Sequence, residues 1–464
     1  MKKTYRHLAA TLLLATAVAP AAAQEFRTAA FMQTNNYRHQ INPAMLDEAY
    51  VGMPFFGQIN VGATGNFGLK NFVYKLDGNP RYDLTTFMSP TVSAGEFLGD
   101  LHDKNRADVY VNYNIFSVGF KAFKGINLVE LNLRSNTNVS LPYELFEFMK
   151  TTGAKETYHL QDIGVRSQNY LELALGHSHR INDQWTVGAK LKFLFGGAYA
   201  DFSADQLDVT MNGDQWRIVG DARLKAAVLS SEFDYEDPSK NAPDGRRRVK
   251  GIDDVSFGLP GFGMGVDLGA TFKVTKDLTL SAAINDLGFI NWSKVKNASS
   301  RGDYTFEGFE DIYAGSNNTG GNKLGDQFET LGDDLEEMFS VYDDGEGSSS
   351  QALAATINIG AEYTLPAYRN LRFGFLYTSR LHGLYSYHQG LLSATIRPVK
   401  CLEASVNTAV SSTGCTFGAA LSLRAKHYNF FIGSDRIFGK VSKEFIPLNS
   451  LNANVTMGMS FPLR

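Results

Sequence analysis

Few side chains in this chain are placed to do chemistry. His177 and His179 stand two apart, which puts both rings on one face of a strand at a spacing a metal can use. No carboxylate or Cys nearby completes a ligand set, and the pair sits where amphipathic rings commonly meet a membrane–water boundary. The stretch 292–351 is strongly acidic, with Asp303, Glu307, Glu310, Asp311, Asp326, Glu329, Asp333, Asp334, Glu336, Glu337, Asp343, Asp344 and Glu346 against Arg301 and Lys323. Its spacing fits no EF-hand loop, so a solvated surface loop is expected over a calcium site. Arg246-Arg247-Arg248 forms a basic cluster that suits either solvent or anionic lipopolysaccharide. Gly261-Phe-Gly263-Met-Gly265 lacks the last glycine of a dinucleotide fingerprint and opens a strand. No nucleophile–base or acid–base pair stands out, so the chain reads as non-enzymatic, with no metal and no cofactor.

The elements that carry these residues explain the pattern. Residues 1–23 read as a cleaved export signal: Lys2, Lys3 and Arg6 precede an apolar run from Leu8 to Val18, and Ala21-Ala22-Ala23 supplies a small-residue cleavage site. That run is shorter than the ~20 residues of a spanning helix. Beyond it no apolar run is long enough to span, and mean hydropathy is −0.19. Gly (44), Phe (33) and Tyr (21) are abundant, and the formal charge of −4 gives no nucleic-acid signal. Cys401 and Cys415 fall at opposite ends of one expected hairpin, beyond the ~7 Å Cα limit for a disulfide, so two free thiols are expected.

What does recur is strict alternation. Asn454 to Phe461 places Val455, Met457, Met459 and Phe461 on one face and Asn454, Thr456, Gly458 and Ser460 on the other. The hairpin 170–193 repeats this: a three-residue turn sets Ile181 opposite Trp185, leaving Glu172, Lys190 and Lys192 on the far face. Mid-strand lysines facing lipid would cost roughly 2–4 kcal/mol, so that face is expected to be a lumen. The same phase makes Asp267, Lys273, Glu362, Arg372, Arg397, Glu403, Arg424 and Asp435 inward. Glu362 and Arg372 should face each other across a turn.

These runs predict an all-β chain: a transmembrane antiparallel barrel of about 14 strands in a range of 12–16, with sixteen if 199–211 and 215–229 span the membrane. The barrel is expected over 58–464. A segment without alternation at 24–57, carrying Asn42-Pro43-Ala44, should thread the lumen or cap it. Short turns at 182–184 and 275–277 alternate with long loops at 230–257, 292–351 and 438–451. This puts the long loops outside the cell and the closing strand 455–461 beside the first barrel strand. The small residues Thr456, Gly458 and Ser460 predict close packing of the plug against that wall.

Four motifs in order add a likeness: Asn42-Pro43-Ala44, Thr86-Phe87-Met88-Ser89-Pro90, Leu141-Pro142-Tyr143-Glu144-Leu145-Phe146 and Asp286-Leu287-Gly288-Phe289-Ile290-Asn291-Trp292. Together they resemble an uncharacterised outer-membrane β-barrel family of Bacteroidota, a domain-of-unknown-function family akin to the long-chain fatty-acid transporter superfamily. The resemblance implies a fourteen-stranded barrel with an Asn-Pro-Ala plug in the outer membrane of a Gram-negative bacterium. Relatives of that fold include barrel subunits of secretion and gliding machinery. The inward residues carry both signs and mark no greasy conduit. The sequence therefore favours a plugged barrel acting as an anchor or platform for envelope-complex proteins, in contact with outer-membrane lipid and lipopolysaccharide. The alternative is a channel for uptake of a hydrophobic solute.

Overall fold

A computed structural model describes residues 26–75, 84–212, 215–228, 230–256, 258–300, 302–306, 332–333, 338–381, 386–437 and 452–463. The expected export signal 1–23, the expected loop 438–451 and half of the acidic stretch 292–351 lie outside them.

Fourteen antiparallel strands close into one barrel. In chain order they are β1 (Tyr50–Gly52 and Gln58–Gly65), β2 (Lys104–Ala122), β3 (Gly125–Pro142), β4 (Thr157–Arg180) and β5 (Trp185–Asn212). Then follow β6 (Gly261–Lys273), β7 (Leu278–Ser299), β8 (Tyr342–Ala352 and Ala355–Thr364), β9 (Leu371–Leu381) and β10 (Tyr387–Val399). The last are β11 (Leu402–Ser411), β12 (Gly414–Arg424), β13 (Asn429–Ser434) and β14 (Ala453–Pro462). Closure comes from β14 pairing with both pieces of β1, Val61 opposite Val455 and Gly52 opposite Ser460. Closure matters because an open edge cannot satisfy its backbone in hydrocarbon.

The outer face is the apolar stripe. Leu175, Leu191, Leu268, Leu280, Phe373 and Phe417 are exposed along it, as are Val455, Met457 and Phe461 of the closing strand, with Met459 half-buried. The Ile181–Trp185 turn holds its expected register, Arg180 pairing with Thr186 and Leu175 with Leu191. Residues 199–211 and 215–229 do not add membrane strands. They form an outward hairpin in which the upper half of β5 pairs with Gln215–Val228, because β5 runs 28 residues, far past the roughly 9–11 that cross a bilayer.

Two expectations need correcting. The wall begins at Tyr50, inside the segment expected to be plug; its first three residues were hidden because Met53–Gly57 bulges out with Phe55 at φ 62° and breaks the alternation. Glu362 faces Gly374 rather than Arg372, so its contact with Arg372 is diagonal at 3.7 Å.

At the long-loop end, helices α1 (Ala94–Leu98) and α2 (Tyr143–Lys150) pack a cap of Phe67, Phe87, Phe97, Phe146 and Phe148 over the barrel. Phe87 and Phe97 stack at 4.3 Å, and Lys150 donates to the Phe87 and Ser89 carbonyls, so the Met-Ser-Pro and Pro-Tyr-Glu-Leu-Phe motifs are two halves of one cap. The lipid face yields a test. Leu191→Lys, in mid-strand on the outer stripe, should destabilise the barrel by roughly 2–4 kcal/mol in denaturant unfolding from vesicles. A change under about 0.5 kcal/mol would mean this face does not meet hydrocarbon.

Candidate functional site

Every second residue of each strand points into the lumen, and the charged side chains buried among them each need a partner. On the β3–β7 side, Lys190 meets Glu130 at 2.7 Å. Lys192 meets Asp286 at 2.6 Å, Asp267 at 2.8 Å and Glu172 at 3.5 Å, and Arg134 adds a second cation to Glu172 at 3.3 Å. On the opposite wall Arg372 pairs with Glu403. Arg380 of β9 reaches across to Asp108 of β2 at 2.6 Å. These strands are seven steps apart in either direction round a fourteen-strand ring, so this pair crosses the bore.

The remaining lumen is filled by residues 26–49. This plug has three short 3-10 turns, Thr28–Phe31, Asn36–Gln40 and Pro43–Met45. Such turns leave many backbone amides without internal partners, and the wall supplies acceptors. Asp435 takes the Arg27 and Thr28 amides at 3.0 and 2.6 Å. Glu403 takes those of Gln33 and Thr34 at 3.2 and 2.9 Å. Toward the short-turn end Arg424 holds Glu48 at 2.5 Å, and Arg38 pairs with Asp47 within the plug.

The Asn-Pro-Ala motif is the best-seated part. The Asn42 side chain caps the turn by accepting from the Ala44 amide, and its Nδ2 donates to the Ala270 and Ala282 carbonyls at 3.1 Å each. Asn285 and Asn358 donate to the plug carbonyls at 40 and 41. Two wall glycines make the seat. A Cβ at Gly269 would stand 2.1 Å from Asn42 Oδ1, and one at Gly188 2.3 Å from the Pro43 carbonyl carbon. Beneath the plug a vestibule of about 830 Å³ opens at the short-turn end, with Lys273 on its wall. Above the plug lies a small polar chamber of about 60 Å³.

Some inward residues have other duties. Arg397 donates to the Lys400 carbonyl within a turn, away from the ion pairs. Gly458 is covered by Phe431, not by the plug; the plug reaches this wall through Phe26 and Tyr37, which lie 6.0 and 5.8 Å from the Phe431 ring, and through the Tyr37 hydroxyl on the Met459 carbonyl. Arg246 pairs with Asp244 and Asp344, and Arg247 with Asp343 beneath the Tyr235 ring, so that basic cluster is largely neutralised by its own neighbours. Among the described residues His177 and His179 belong to no metal-ligating group, and His177 bonds Asn127. Cys401 and Cys415 are free and exposed.

Sequence reading missed Glu130, Arg134, Asp108, Arg380 and Asp286. The first two were visible in phase with Asn132 on β3. Asp286 was not, because it sits at φ 58° where the β6–β7 register slips. A family of unknown function (DUF5723) matches residues 43–435. The chain belongs to that family. In this DUF5723 protein the match begins at Pro43 of the plug and ends at Asp435, the plug's outer anchor. No curated protein matches the chain. Among solved structures, the Ralstonia pickettii toluene transporter TbuX is similar at 9% identity over 97% of each chain, with TM-score 0.41. The Pseudomonas putida toluene transporter TodX follows at 9% identity over 97% of this chain and 96% of that one, TM-score 0.40. The monoaromatic hydrocarbon channel CymD is 10% identical over 95% and 93%, TM-score 0.39.

Two tests follow from the seat. Gly269→Leu should expel the motif and leave residues 26–49 open to a protease that spares them in the wild type; equal resistance would contradict the fit. The second concerns His39, buried with Nε2 2.7 Å from the Tyr50 hydroxyl. Burial, helped by Lys190 and Arg134, holds its pKa well below the ordinary value. A released His39 titrates near the usual ~6.5, so the seated plug is unaffected above that pH and loses stability as pH falls below it. Protease sensitivity of the plug should rise from pH 7.5 to 5.5 in the wild type and much less in His39→Gln. An equal rise in both would assign the effect to other groups.

Proposed function

We propose that this barrel is a gated outer-membrane channel for small molecules and that residues 26–49 are its gate. One observation carries the reading: a short, irregular, non-covalently held segment separates an open vestibule from a chamber in the same bore. Its polar contacts are hydrogen bonds and ion pairs that water can replace one by one, its apolar ones are two small clusters (Phe26 and Tyr37 on Phe431, Phe31 and Ile41 on Leu376 and Leu391), and its central motif rests in a notch that a single side chain would fill. A permanent filler would be better served by an apolar, self-packed domain. The platform function favoured by the sequence gains no comparable support, since none of these features requires a partner protein. Toluene, the cargo in the names of TbuX and TodX, serves as the apolar probe.

The test is reconstitution into planar bilayers and vesicles. Wild type should be nearly silent, Gly269→Leu should give discrete conductance steps, and a permeant solute should enter vesicles saturably through wild type. A silent Gly269→Leu barrel with its plug demonstrably displaced would contradict the channel, and co-purification of the chain as a stoichiometric subunit of an envelope complex would favour the platform.

A further inference from the structure

The chamber above the plug has an unbalanced lining. Three guanidiniums face it: Arg27 from the plug, Arg134 from β3 and Arg380 from β9, with Tyr110, Tyr170 and Asp286 beside them. Its water-accessible volume of about 60 Å³ has room for roughly four waters. Arg380 is paired with Asp108 and Arg134 with Glu172. The one carboxylate in the lining, Asp286, is taken by Lys192. Arg27 differs. It is only 3% exposed, yet among the described residues no carboxylate lies within ion-pair distance of its guanidinium. Its Nη1 donates to the Gln389 amide oxygen, and the group lies 5.4 Å from the Tyr387 ring centroid.

The Nε of Arg27 and the Nε of Arg134 are both buried without a partner. A buried guanidinium without its counter-charge is costly. Unused guanidinium donors around a space of this size suit a planar or tetrahedral oxyanion, which arginine recognises through two parallel hydrogen bonds.

We propose that this chamber binds a small oxyanion, a carboxylate or inorganic phosphate, with Arg27 as the ligand contributed by the plug. Arg134 and Arg380 belong to opposite arcs of the wall, so a bound anion links the gate to both. As a solute site the chamber rests on the channel reading, but binding itself does not require passage.

Isothermal titration of the full chain in detergent with sodium acetate and, separately, sodium phosphate, at matched ionic strength, tests this. Saturable binding of either anion is expected, weakened at least about tenfold in Arg27→Gln; whichever binds better tells a carboxylate site from a phosphate site. Because Arg27→Gln could loosen the plug, the protease resistance of residues 26–49 is measured on the same sample, and Arg27→Lys should bind between the two. No saturable binding up to about 10 mM would overturn the proposal. So would full binding by Arg27→Gln with its plug in place. A barrel that binds the anion but passes no solute would sink the channel reading and leave this site standing.

Discussion

Two carboxylates that meet backbone amides decide how this molecule is built. Asp435 and Glu403 are buried in the bore, and each takes two amides from a segment with too little regular structure to satisfy its own. The wall alone satisfies these carboxylates only in part, Glu403 through Arg372 and Asp435 through Asn454. A buried carboxylate without donors and a buried amide without an acceptor each carry a desolvation cost, and together they remove both. The plug is thus held by the lumen's need for donors as much as by packing.

The rest of the lumen extends that logic. Where the plug does not reach, the wall neutralises itself, as with Lys192 among Glu172, Asp267 and Asp286, or Arg380 crossing to Asp108. Where the plug comes closest, the wall gives up its side chains, at Gly188 and Gly269 against Asn42-Pro43. The apolar cap of Phe87, Phe97 and Phe146 stands apart at the long-loop end and is held by ordinary core packing. The bore is ionic and the cap above it apolar, so the two levels respond to different conditions, salt and pH below and apolar surface above.

The wall was legible because a strand repeats every two residues, so Leu175, Leu191 and Met457 announced their face and Glu172, Lys190 and Lys192 the opposite one. That period pointed to a barrel of about 14 strands, which the resemblance also implied, and together with a three-residue turn it set the Ile181–Trp185 register. The plug was not legible beyond Asn42-Pro43-Ala44, since 3-10 turns of three to five residues leave no period to read. The same reason hid Tyr50–Gly52, set behind a bulge, and Arg27, whose isolation is a property of three dimensions. Charge pairs between distant strands, such as Asp108 with Arg380, leave no local trace at all. The preference for a platform rested on the mixed charges of the lumen, and those charges turn out to be the plug's binding groups as well as filler.

Hydrogen exchange of the Arg27, Thr28, Gln33 and Thr34 amides measures the central claim most directly. In the wild-type barrel all four should be strongly protected, and Asp435→Ala with Glu403→Ala should release them to rates near those of an unstructured chain while the strand amides stay protected. Unchanged protection of the four amides in that double variant would show that the plug is held by something other than these two carboxylates.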